Sequence, residues 1–128
     1  KGTVVLVHGL WMSGAEMFLL RRRLRRCGYR VYQFRYRTVR SDRKKDELAA
    51  WLADGKVDVI TFTSPSTLTH FIDIMGPEFR LPRRVRIACI GPVTAAAVRR
   101  AGLPVDILQE TYTIPGLVAA LEAHFSPP

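Results

Sequence analysis

A chain of 128 residues and 14.5 kDa holds one domain's worth of material and is long enough to bury a core on folding. With 48% hydrophobic and 24% charged residues it is too apolar for intrinsic disorder, no apolar run approaches the roughly 20 residues of a membrane span, and no signal-peptide pattern opens it. The formal net charge of +9 lies wholly in residues 1–40, where ten Lys/Arg face one acid, Glu16, while the ten basic and ten acidic residues of 41–128 cancel.

Residues 3–7 form a continuous apolar run, the pattern of a strand buried on both faces. Over 13–27, Met17, Leu20, Leu24 and Cys27 fall on one helical stripe, with Arg21, Arg22, Arg25 and Arg26 off it and Gly28 as the stop. Arginines in a last helical turn suit the macrodipole, so the run reads first as a solvated face. Residues 30–36 predict a second strand, 42–54 a helix and 57–62 a third strand. Ser64-Pro65 opens the next helix as a serine cap followed by proline at the first helical position. Its expected core face is Leu68, Phe71, Ile72 and Met75, and Gly76-Pro77 ends it. After a loop over 77–84, residues 85–90 give a fourth strand, Gly91-Pro92 the next helix start, 105–108 a short fifth strand, and Thr113 the cap of a last helix carrying Leu117, Val118 and Leu121.

Five βα units in succession predict a single α/β domain: a three-layer αβα sandwich on a five-stranded parallel sheet of flavodoxin-like order 2-1-3-4-5. Ligands of such sheets bind beyond the carboxyl ends of the strands. The segments falling there carry His8, Gly9, Leu10 and Trp11; Tyr36, Arg37 and Thr38; Thr63 to Thr67; Gly91 to Thr94; and Thr111, Tyr112 and Thr113. Hydroxyls beside helix N-termini suit an anion, phosphate or carboxylate. Each also has a plain structural reading, since Ser64 and Thr113 can simply cap helices and Gly91-Pro92 can simply turn the chain.

No Gly-rich phosphate loop, dinucleotide fingerprint or nucleophile elbow occurs. His8, His70 and His124 lack metal-ligand spacing with the cysteines, and surface positions are expected for the latter two. Cys27 and Cys89 read as core filler in a reducing, cytoplasmic setting. No metal and no cofactor are expected, nor any obligatory partner; a monomer is anticipated, and the arginine run lacks the interleaved aromatics of a nucleic-acid surface.

The motifs YRTV (36–39), VDVITFTSPST (57–67), IACIGPVTAAAVRRAGLPVD (87–106) and YTIPGL (112–117) resemble, in order, the second half of uroporphyrinogen-III synthase. That resemblance implies a lyase of tetrapyrrole biosynthesis. Such an enzyme closes linear hydroxymethylbilane to the III isomer, inverting the last ring without metal or coenzyme, in a cleft between two domains. It further implies Tyr36 as the proton donor to the departing hydroxyl. Ser64, Ser66, Thr94, Tyr112 and Thr113 become candidate binders of the substrate's carboxylates.

Residues 3–35, with VVLVHGLWMSG (4–14) at their head, are instead similar to the opening βαβ of an α/β-hydrolase. Gly9, Leu10 and Trp11 would be its oxyanion-hole remnant. Without a nucleophile that remnant predicts no hydrolase. The change of resemblance near Tyr36 coincides with the step in charge. Together with the absent initiator methionine, it suggests an engineered chimera in which 1–35 is hydrolase-like and 36–128 is a synthase-like half. The leading expectation is therefore a fold-recombination scaffold with no complete active site, its inherited Tyr36 idle. Residual synthase activity, or weak binding of an anionic tetrapyrrole, is the alternative, and a nucleic-acid binder comes third.

Overall fold

The computed structural model describes residues 2–8, 14–35, 42–76, 79–109 and 114–125. Ten elements alternate without exception: β1 (Gly2–His8), α1 (Gly14–Arg26), β2 (Tyr29–Arg35), α2 (Asp42–Ala53), β3 (Val59–Phe62), α3 (Pro65–Met75), β4 (Arg86–Ile90), α4 (Pro92–Arg100), β5 (Ile107–Gln109) and α5 (Ile114–Phe125). All pairings are parallel and the strand order is β2-β1-β3-β4-β5, as the alternation predicts. Strand starts fall up to two residues from the expected positions.

Period-two alternation splits the core in two. Val5, Val7, Ile60, Phe62, Ile87 and Cys89 face one side of the sheet, under α2, α3 and α4. Val4, Leu6, Val59, Ala88 and Ile90 face the other, under α1 and α5. The apolar run of β1 is thus explained, because Val4 to Val7 are all at most 1% exposed. From α1, Leu20 and Leu24 are both wholly buried, worth roughly 1.5–3 kcal/mol each. On α3 the buried stripe is Thr67, Leu68, Phe71 and Met75. Ile72, expected in the core, is 37% exposed; one residue past Phe71 turns it about 100° away, onto the rim. His70, expected on the surface, is half-buried.

Both cysteines line the core, Cys89 within it and Cys27 at the edge of the α1/α5 side. Burial pushes the Cys89 thiol up to about 11, which makes it filler and not a nucleophile.

Two aspartates repeat one clamp at the amino ends of strands. The Thr3 amide donates to Asp58 Oδ2 at 2.7 Å and the Asp58 amide to the Thr3 carbonyl at 2.9 Å. Likewise the Ile87 amide donates to Asp106 Oδ2 at 2.9 Å and the Asp106 amide to the Ile87 carbonyl at 3.0 Å. The first joins β1 to β3 and the second β4 to β5. Gly55 ends α2 with φ of +80°, and a Cβ there would collide with the Arg84 guanidinium, which caps the helix by donating to the Leu52 carbonyl at 2.9 Å.

Candidate functional site at the carboxyl edge of the sheet

From β1 the chain leaves toward α1 on one face, and from β3 toward α3 on the other. The crevice of the fold therefore opens between the carboxyl ends of these neighbours. The segments beyond β3 and β4 are described at this edge. Those holding Gly9, Leu10 and Trp11, Tyr36, Arg37 and Thr38, and Thr111, Tyr112 and Thr113 lie outside the described residues.

Beyond β3, Ser64 stands in extended backbone (φ −159°, ψ 160°) as the N-cap of α3, with Pro65 following. Its Oγ accepts from the Thr67 amide at 3.4 Å and lies 3.0 Å from the Ser66 Oγ. Thr67 closes the box: its Oγ1 donates to the Ser64 carbonyl at 2.6 Å and accepts from the Ser64 amide at 3.3 Å. The turn is thus locked from beneath by a wholly buried threonine, while the Ser64 and Ser66 hydroxyls stay half-buried and paired. Sequence reasoning placed Thr67 at this edge without a role; it stands at the capping-box position three residues after the cap, where Glu or Gln is the usual signal. Aromatic packing fixes the helix behind this turn, Phe62 against Phe71 at 5.5 Å and Phe71 against Phe79 at 5.7 Å.

Beyond β4 the chain turns at Gly91 (φ +87°, ψ 150°), a conformation closed to L side chains at low cost. Its amide donates to the Gln109 carbonyl at 2.7 Å, tying the turn to β5. No side chain caps α4, and Pro92 at its first position has no N–H to satisfy. Continuing the Phe62↔Cys89 register by two residues brings Ser64 beside Gly91, so the α3 and α4 N-termini stand next to each other. Neither first turn carries an acid, leaving both positive dipole ends available to an anionic ligand. Thr94, a candidate binder, is only 3% exposed and faces inward from the first turn of α4 with Ala95 and Val98. Ser64 and Ser66 are the candidates that the structure brings together on the open side. Among the described residues no three His, Cys, Asp or Glu gather as metal ligands, and no helix is long and apolar enough to cross a membrane.

Comparison with known proteins extends this picture. A family model described as Uroporphyrinogen-III synthase HemD matches residues 14–119. A protein of Methanothermobacter thermautotrophicus, provisionally named a uroporphyrinogen-III synthase, is 32% identical over 121 residues, covering 91% of this chain and 43% of its own. The uroporphyrinogen-III synthase of Chlorobaculum parvum is 40% identical over 70 residues, covering 55% of this chain and 28% of its own. The chain thus spans less than half the length of these relatives. Among solved structures, a mutant uroporphyrinogen III synthase from the extremely thermophilic bacterium Thermus thermophilus superposes with a TM-score of 0.57 at 24% identity, over 96% of this chain and 50% of that one. A second structure of the Thermus thermophilus enzyme gives a TM-score of 0.50 at 22% identity, with the same coverage.

These matches overturn the expected engineered scaffold. The family match begins in α1 and runs through Tyr36 without a break, and neither a hydrolase-like segment nor a fusion is shown. Half of the basic residues behind the charge step belong to α1, where Arg22, Arg23, Arg25 and Arg26 are exposed. Outward-facing residues can change charge without changing the fold, so the step marks a surface and not a junction.

Proposed function

The chain belongs to the uroporphyrinogen-III synthase family, and on that premise we propose that it acts as a lyase of tetrapyrrole biosynthesis, closing hydroxymethylbilane to the III isomer. The observation that carries this reading is the pair of adjacent helix N-termini at the carboxyl edge, one presenting the Ser64 and Ser66 hydroxyls and the other uncapped, in a chain matched over 14–119. Carboxylates of the substrate would accept from those hydroxyls and from the free amides of the α4 first turn. Such contacts bind through charge-assisted hydrogen bonds and hold a flexible chain in a reactive curl, which is where positioning lowers the barrier.

In this reading Tyr36 supplies the proton with which the terminal hydroxyl leaves as water, a general-acid step suited to a neutral phenol. Tyr112 and Thr113 would be further binders of the substrate's carboxylates, and Thr94, buried in the first turn of α4, would shape the wall from beneath. Thr67 is a positioning residue, acting through Ser64.

The test is a synthase assay on freshly made hydroxymethylbilane, scoring III isomer against the I isomer that forms spontaneously. Excess III isomer is expected. Ser66→Ala should raise KM roughly 10- to 150-fold, the loss of one hydrogen bond to a charged group, with kcat little changed. Tyr36→Phe should instead lower kcat by about 10²-fold or more. Only I isomer from folded protein refutes the reading.

A further inference from the structure

We propose that the outward face of α1 is a docking surface for an anionic lipid bilayer. The helix carries Arg21, Arg22, Arg23, Arg25 and Arg26 within two turns. Its inward residues Leu20 and Leu24 are already spent on the core with α5. At about 100° per residue, Phe18, Leu19, Arg25 and Arg26 all point within roughly 60° of Arg22. That arc has no described element over it, and Arg22, Arg25 and Arg26 are exposed.

Phe18 and Leu19 on the same arc are 50% and 53% exposed, two of four large hydrophobic side chains so exposed among the described residues. Phe18 and the arginines Arg21, Arg22, Arg25 and Arg26 line a shallow groove of about 300 Å³. Exposed apolar side chains and half of the ten basic residues of 1–40 thus fall on one short helix.

A shallow, open strip along one helix suits a flat, laterally extended anion better than a small one, which needs an enclosing site. Long arginine stems reach lipid phosphates while lying along apolar surface. Phe18 and Leu19, adjacent at one end, gain from a hydrocarbon boundary and would gain nothing from a phosphate backbone, where aromatic side chains are interleaved with the cations. The charge therefore reads as complementary to an acidic leaflet. Because α1 runs antiparallel to the strands, a bilayer along it would lie beside the sheet sandwich. The carboxyl-edge crevice would then open sideways, clear of the lipid.

Co-sedimentation of the full chain with vesicles tests this, comparing phosphatidylcholine alone with an equimolar mixture of phosphatidylcholine and phosphatidylglycerol. Binding to the mixed vesicles only, weakening as salt rises, is expected. Arg22→Gln, Arg25→Gln and Arg26→Gln together should lower partitioning about a hundredfold, at roughly fivefold per charge near an anionic surface. Phe18→Ser with Leu19→Ser should lower it about tenfold or more with every charge in place. All five side chains are exposed or half-exposed, so circular dichroism and melting temperature should not move. No pelleting with anionic vesicles overturns the proposal, as does equal binding to neutral ones. Full binding by the Phe18/Leu19 variant would overturn it too, as would binding of an RNA oligonucleotide where the vesicles fail.

Discussion

Asp58 offers a stringent test of what holds the crevice in shape, because it clamps the amino ends of the two strands whose carboxyl ends border it. Asp58→Ala removes the Oδ2 that accepts from the Thr3 amide at 2.7 Å. Thr3 is only 7% exposed, so its N–H is left with little water to replace the lost acceptor. A hydrogen bond to a charged group contributes about 1.5–3 kcal/mol. Asp58 is itself half-buried, which places the expected loss at about 2 kcal/mol. For a domain of this size that corresponds to a fall in Tm of roughly 6–10 °C. The control is Asp58→Asn, whose amide oxygen can still accept and whose loss should stay below about 1 kcal/mol. Urea unfolding followed by circular dichroism measures both. If the alanine and asparagine variants unfold together, within about 0.5 kcal/mol of the parent, the carboxylate does not hold β1 to β3 and the clamp argument fails.

Two further outcomes concern buried titratable groups. In native protein a thiol reagent should modify Cys27, which is half-buried, and spare Cys89, whose thiol burial pushes up to about 11; both should react in denaturant, and rapid native labelling of Cys89 would contradict its place in the core. The Tyr29 phenol is raised to about 12 by burial first and by Glu122 second. An acid held protonated in the folded state is a stabilising group below its unfolded value of 10.0, and that contribution drains away as pH rises from there through about 12. Urea midpoints should therefore fall across that window in the parent and fall less in Tyr29→Phe.

Much of the fold was legible because its causes are local. Alternation of apolar runs with amphipathic stripes set the element order, and from that order the handedness of βαβ crossovers leaves few topologies. Ser64-Pro65 announced the start of α3 by capping chemistry alone, and the structure adds only Thr67 beneath it. One error of burial came from treating a helical face as a list: Ile72 shares the spacing of core residues but sits one step past the stripe. The mistaken junction near Tyr36 has a different origin. It took a charge distribution, which records what a surface meets, as a record of descent, and the continuous family match corrects it. At the candidate site the sequence supplied the serines, but it could not show that the α3 and α4 N-termini stand side by side, because that proximity comes from strand register.

The interior position of β1, between β2 and β3, also bears on how the chain is made. Its first partner, β2, joins it at Gly2↔Tyr29, and its second, β3, at Val4↔Val59, 55 residues further on. At a synthesis rate of about 5–20 residues per second, the β3 edge of this largely apolar strand waits roughly 3–11 seconds for its complement. No hairpin can form meanwhile, because every pairing in the sheet is parallel and spans a helix. A nascent β1 is therefore open to chaperone capture, or to aggregation in its absence, until β3 has been made.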